Sequence, residues 1–217
     1  MLVALGTLAS AQSRGTKATM KAAVQLLNYA ATHPDAAICY YASGMQLHIH
    51  SDASYLSEAL ARSRVGGFFF LSGNDDPSPN APAPPLNGAV HVVSSIMRNV
   101  MASAAEAELG GLFVNGQEAC PIITTLEELG WKQNGPTPIQ TNNAVADGIA
   151  NDTIKQKRSK AMDMRFYWIC DRVRQGQFRV HWKAGSTNRG DYFTKHHPTS
   201  HHIEERTVYV HPSGAQQ

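Results

Sequence analysis

The order of elements in this 217-residue chain predicts an α/β domain built on a mixed five-stranded sheet. Three observations predict it. Apolar and polar residues alternate with a period of two in "MQLHIHSDAS" and "QFRVHWKAG", the mark of half-buried strands. Apolar residues recur every three to four positions in the stretches between the later strands, the mark of helices. Three strands follow one another before the first long helix. They are expected to pair antiparallel, and the helix-linked strands after them to join the sheet in mixed fashion.

In chain order, Val3 to Gln12 is a short helix candidate. "ATMKAAVQLLNYAATHP" is a second, with Met20, Ala23, Val24, Leu27, Ala30 and Ala31 on one face and Pro34 as its stop. "MQLHIHSDAS" is the first strand, with Leu47 and Ile49 on one face and His48, His50 and Asp52 on the other. "YLSEALARS" connects it to "RVGGFFFLS", whose apolar run predicts burial on both faces. The Pro-rich "GNDDPSPNAPAPPLNG" reads as a surface loop and "AVHVVSSIM" as the third strand. A long helical region starts at Ser103, and Pro121 is expected to split it in two. "TPIQT" is the fourth strand and "NAVADGIAND" a short helix. "SKAMDMRFYWICDRVRQG" is a helix with Met162, Phe166, Ile169 and Val173 on one stripe and Gly176 as its stop. "QFRVHWKAG" is the fifth strand, and "STNRGDYFTK" is expected to open a last helix. No internal repeat is found.

Composition narrows the function classes. The formal net charge is +2, so nucleic-acid binding would need a local patch rather than an overall field. Cys39, Cys120 and Cys170 are odd in number and far apart, without metal-ligand spacing, which points to a cytoplasmic or nuclear setting. No apolar run reaches the roughly 20 residues of a membrane span. The opening segment lacks the basic stretch of a signal peptide.

Chemistry-bearing residues gather where strands end or helices begin. Asp52 closes the first strand, Glu106 and Glu108 lie near the start of the long helix, Asn142 closes the fourth strand, and Asp191 follows the fifth. Acidic residues at helix starts often serve only as caps. Carboxylates that converge on one sheet end instead call for a cation, and hard oxygen ligands select Mg²⁺ or Mn²⁺.

Five stretches, "HIHSDASYLSE", "RSRVGGFFFLS", "SAAEAELGGL", "RSKAMDMRFYWICDRV" and "GDYFTKHHP", together resemble the ribonuclease H domain of copia-type retrotransposon polyproteins. The similarity runs from about Leu47 to Pro198, and the opening "ALGTLASAQ…LLNYAATHP" resembles the tail of the preceding reverse transcriptase. The resemblance implies a ribonuclease H-like fold at 45–200, a helical reverse-transcriptase tail at 1–44 and a flexible tail at 201–217. It implies hydrolysis of RNA in an RNA–DNA hybrid through two Mg²⁺ ions, with Mn²⁺ as a substitute. The partners implied are the hybrid and the reverse-transcriptase portion of the same polyprotein, in a cytoplasmic particle.

The family places four acids around its metals. Asp52 matches the first and Asp191 the last. For the helix acid, Glu106 and Glu108 lie roughly 200° apart around a helix, so both cannot face one cluster. Periodicity does not choose; the Leu and small residues that follow Glu108 favour it, with Glu106 as runner-up. The remaining acid belongs in "QTNNAVA", where the family shows Thr-Asp-Asn, so the missing Asp falls on Asn142. Asp147 lies about 140° further around the helix and cannot take its place. Asn142 brings no charge and a poorly placed NH₂, so the second metal is expected to be held weakly. An engineered variant, a decayed copy and a domain kept for binding all fit this pattern.

Lys155, Lys157, Arg158, Lys160 and Arg165 form a basic cluster suited to phosphate contacts, which Arg62, Arg64, Arg172 and Arg174 would widen. A solvated surface is the plainer reading of the same charges. His196, His197, His201 and His202 suggest a transition-metal site on composition alone, but the Pro between the pairs and the polar residues after them favour a flexible terminus.

Overall fold

The alternation along Gln46–Glu58 places Leu47 and Ile49 in the main core and His48, His50 and Asp52 on the opposite face of the sheet. This strand, β2, is the centre of the computed structural model, which describes residues 1–76, 78, 82–154 and 164–212. Its neighbours are β3 (Arg62–Ser72), antiparallel to it, and β5 (Thr137–Thr141), parallel to it. β4 (Ala89–Ile96) extends the sheet beyond β3, and β6 (Phe178–Trp182) runs parallel to β5. The order β4-β3-β2-β5-β6, with one antiparallel and one parallel half, is a ribonuclease H-like α/β fold.

Helices cover one face. The long helix α3 (Ala104–Glu128) lies across β2 and β3, and α4 (Ala144–Ala150) and α5 (Met164–Arg174) pack beside it. Leu47, Ile49, Phe69, Leu109, Leu112, Ile139, Phe166, Ile169 and Val180 form the core between these helices and the sheet. A smaller core on the other face joins Phe68 and Phe70 of β3 to Phe193.

The α3 helix runs unbroken through Pro121, against the expected split. Pro121 and Gln117, four residues earlier, both face solvent, so water can take over the carbonyl that proline leaves unbonded. "STNRGDYFTK" does not open a helix either. It forms two one-turn 3-10 segments, Gly185–Thr187 and Asp191–Phe193. The Asn188 side chain donates to the Ser51 carbonyl and accepts from the Gly190 N–H, committing this backbone to β2 before a helix can start.

The last helix, α6, is Thr199–Tyr209. Residues 201–209, expected in a flexible tail, lie in it. It is held by Tyr192 stacked on Tyr209, by the Arg189–Glu205 ion pair and by Tyr209 Oη donating to the Arg189 carbonyl. At the other end of the chain, α1 (Leu2–Ser10) packs on β4 and α2 (Lys17–Ala31) follows it. The short strands β1 (Ala36–Ala37) and β7 (His211–Pro212) pair antiparallel. Among the described residues no helix is long and apolar enough to cross a membrane.

Candidate functional site

Four segments meet at the middle of β2, which does not close at Asp52 as expected but runs on to Glu58 in its pairing with β3. Asp52 sits near the middle of β2 opposite Gly66 of β3, 3% exposed. Glu108 lies one turn into α3, 5% exposed, where Oε1 accepts from the Ala53 N–H at 3.3 Å and Oε2 from the Thr141 hydroxyl at 3.5 Å. Docking of α3 dictates this placement. Gly111 lies over the Asp52 carbonyl and Ser51, and the Asn115 amide donates to Ser51 Oγ and the Gly66 carbonyl. Glu108, Gly111 and Asn115 share one helix face, so Glu108 faces β2.

Glu106 points elsewhere. Its Oε2 accepts from the Ala102 N–H, while its own N–H donates to Ser103 Oγ, a capping arrangement at the helix start. Of the two candidate helix acids, geometry puts Glu108 beside Asp52.

Asn142 follows the last residue of β5. Its side-chain N–H₂ donates to Asp52 Oδ1 at 2.7 Å, and Trp182 Nε1–H holds its carbonyl at 3.0 Å. Asn143 caps α4, with Oδ1 accepting from the Val145 and Ala146 N–H groups. Asp147 is engaged one turn onward by the Asn151 amide. Asp191 enters from the segment after β6, and Lys195 Nζ donates to its Oδ1 at 2.6 Å.

The charges of Asp52, Glu108 and Asp191 act on one another. Burial, and then the charge of Asp191, push the Asp52 carboxyl up to about 6. Burial, and then the charge of Asp52, push Glu108 up to about 9. Hydrogen bonds from Thr194 and Asn142 to Asp52 work in the opposite direction and do not cancel the burial.

In donor type these residues suit a divalent cation. Asp52, Glu108 and Asp191 are hard oxygen donors that repel one another, which is the chemistry such an ion neutralises. Their positions are less favourable. Among the described residues no group of three or more His, Cys, Asp or Glu side chains converges closely enough to hold a metal. Asn142 turns its N–H₂, not its oxygen, toward Asp52, and Lys195 already pairs with Asp191. The set matches one hard cation in donor type, and Asn142 brings no charge toward a second.

Sequence reasoning missed two contributors, Thr194 and Thr141, and did not say what the β3 glycines approach. Thr194, fully buried, donates to Asp52 Oδ2 at 3.0 Å. Thr141 bridges Glu108 and the Asn143 N–H. Gly66 leaves room for the Asp191 segment: a Cβ there would stand 2.2 Å from the Gly190 carbonyl oxygen. The one available signal was "GDYFTK", which carries Thr194 three residues after Asp191.

Lys155, Lys157, Arg158 and Lys160 lie outside the described residues, as does the side chain of Arg165. Arg64 cannot widen a basic surface. It is fully buried, and its Nε pairs with Glu58 Oε1 at 2.6 Å. Arg172 lies over the Trp168 ring, and Arg62 and Arg174 remain accessible. His201 and His202 lie in α6, where His202 bonds Tyr192 and Tyr29, so that pair helps hold the helix in place.

No protein-family model matches the chain. Solved structures similar to it include LC11-RNase H1, isolated from compost by a metagenomic approach. That likeness has 12% identity and a TM-score of 0.48, over 69% of this chain and 93% of the other. The N-terminal ribonuclease H domain of a Mycobacterium tuberculosis protein shows 12% identity and a TM-score of 0.43, over 69% and 91%. RNase H1 from the halophilic archaeon Halobacterium salinarum shows 13% identity and a TM-score of 0.40, over 69% and 94%.

Proposed function

We propose that this chain is a ribonuclease H-type domain of a copia-type retrotransposon polyprotein, acting on RNA–DNA hybrid, with hydrolysis impaired at Asn142. The observation that carries this reading is the meeting of Asp52, Glu108, Asn142 and the Asp191 segment at one corner, from stretches up to 139 residues apart in sequence, as Asp52 and Asp191 are. The ordered sequence resemblance from Leu47 to Pro198 supports it independently.

The reaction is attack of water on a phosphodiester of the RNA strand, leaving a 5′-phosphate and a 3′-hydroxyl. A divalent cation, Mg²⁺ or Mn²⁺, would supply water activation and neutralise the leaving oxygen. Asp52, Glu108 and Asp191 would hold it. Asn142 stands where a fourth carboxylate is expected, and its amide occupies Asp52 Oδ1. Binding of the hybrid would rest on shape and phosphate contacts, with 2′-hydroxyls distinguishing the RNA strand.

A non-catalytic hybrid-binding module is the second reading. The Asn142–Asp52 hydrogen bond and the Lys195–Asp191 pair favour it, because both engage acids that a cation would need. One experiment separates the two: cleavage and binding of a labelled hybrid in Mg²⁺ and in Mn²⁺, for the parent and for Asn142→Asp. Cleavage by the Asp variant alone supports an impaired nuclease. Binding without cleavage by either supports the binding module.

A further inference from the structure

The segment that carries Asp191 touches β2 at several points. Asn188 Nδ2 donates to the Ser51 carbonyl at 2.7 Å, and the Arg189 N–H donates to His50 Nδ1 at 3.1 Å. Ser54 Oγ donates to the Thr194 carbonyl at 2.8 Å. Gly190 and Gly66 make the close approach possible. All of these fasten backbone. Thr194 alone in this segment reaches the Asp52 carboxylate, with Oγ1 3.0 Å from Asp52 Oδ2 and 2.8 Å from the Asp191 carbonyl oxygen.

One hydroxyl thus sits between the side chain of the first acid and the backbone of the last. It has a single proton to share between two acceptors; the Asp191 carbonyl also accepts from the Thr194 N–H at 3.1 Å, whereas the Asp52 carboxylate is buried and relies on side-chain donors. With Asn142 on Oδ1 and Thr194 on Oδ2, the Asp52 carboxylate is gripped at both oxygens.

We propose that Thr194 is a positioning residue: its hydroxyl fixes the Asp52 carboxylate and sets the place of Asp191 relative to it. The proposal rests on the reading of Asp52 and Asp191 as the cation-holding acids of this corner. It assigns Thr194 no contact with substrate. Hydroxyl and methyl have separable roles. The Thr194 methyl packs against Gly66, lying 2.7 Å from where a Cβ there would be. Thr194→Val keeps that packing and removes the hydroxyl, whereas Thr194→Ser keeps the hydroxyl and removes the methyl.

The test is Mn²⁺ affinity of the full chain, read by electron paramagnetic resonance with Mn²⁺ alone. The expected result is about tenfold weaker binding for Thr194→Val, with Thr194→Ser within about twofold of the parent, as loss of one preorganised hydrogen bond implies. The reverse order, Val like the parent and Ser weakened, would show a packing role and overturn the proposal. A parent that binds no Mn²⁺ sinks the cation reading but leaves a second arm. In a crystal structure of Thr194→Val, the Asp52 carboxylate is expected to rotate and the Asp191 side chain to move away from it. Both acids unmoved would overturn the positioning role whether or not a metal binds.

Discussion

The Asn142 side-chain amide donates to Asp52 Oδ1 at 2.7 Å, joining the end of β5 to the central strand at the corner where the acids meet. The bond stabilises the ionised form of Asp52 and spares the corner one negative charge. Asn142→Asp is expected to restore cleavage of RNA–DNA hybrid by about 10²–10³, the rate commonly lost with one preorganised polar contact at a reacting centre. Equal rates for parent and variant on one substrate would sink the assignment.

The same substitution should have a cost without metal. A fourth carboxylate would face Asp52 directly, and like charges in a buried corner repel. Asn142→Asp is therefore expected to melt below the parent in chelator and to recover with Mg²⁺ or Mn²⁺. Thermal denaturation in both buffers checks this, and a melting point in chelator at or above the parent's would argue that position 142 does not face the acids.

Glu108 gives a pH signature with a definite sign. Its ordinary carboxyl pKa of 4.5 is raised to about 9 in the folded chain, first by burial and then by Asp52. Between these values the folded state holds more protons than the unfolded one, so this group's contribution to stability falls as pH rises from about 4.5 toward 9. Glu108→Gln removes the titration and keeps the shape. In metal-free buffer the variant should gain stability over the parent progressively from pH 5 to pH 8. Urea midpoints at those two pH values decide the matter, and a constant difference would contradict the raised pKa.

Glu106 should behave as a helix cap. Replacing it with Ala is expected to cost about 0.5–1.5 kcal/mol of stability, since the Ala102 N–H loses its acceptor. Mn²⁺ binding should stay at the parent level, in contrast to Glu108→Ala. Loss of Mn²⁺ affinity in Glu106→Ala beyond that in Glu108→Ala would reverse the two roles.

Gly66→Ala should be poorly tolerated. The added Cβ would stand 2.2 Å from the Gly190 carbonyl oxygen, so the Asp191 segment must shift. Overpacking of this kind costs about 1–3 kcal/mol. Faster amide exchange over residues 185–195 would accompany the lower melting point, and an unchanged melting point would show that this segment yields without cost.

The features legible in the residues alone were local. A period of two placed β2 and β6, the bare apolar run placed β3, and the order of elements implied a mixed sheet, because burial of one strand face or both is written in neighbouring residues. The resemblance pointed to Asp52, Asp191 and the amide at Asn142 one residue at a time. The remaining assignments depended on docking. Glu106 and Glu108 lie on different sides of one helix, and no property of the helix alone says which side meets β2; Gly111 and Asn115 settle it by contact with β2 and β3. Arg64 reads as surface charge until Glu58 is folded back beside it, and Pro121 reads as a helix break until its turn is seen to face water. Thr194 became visible only when its segment crossed Gly66, since a hydroxyl's partner 142 residues away leaves no trace in periodicity.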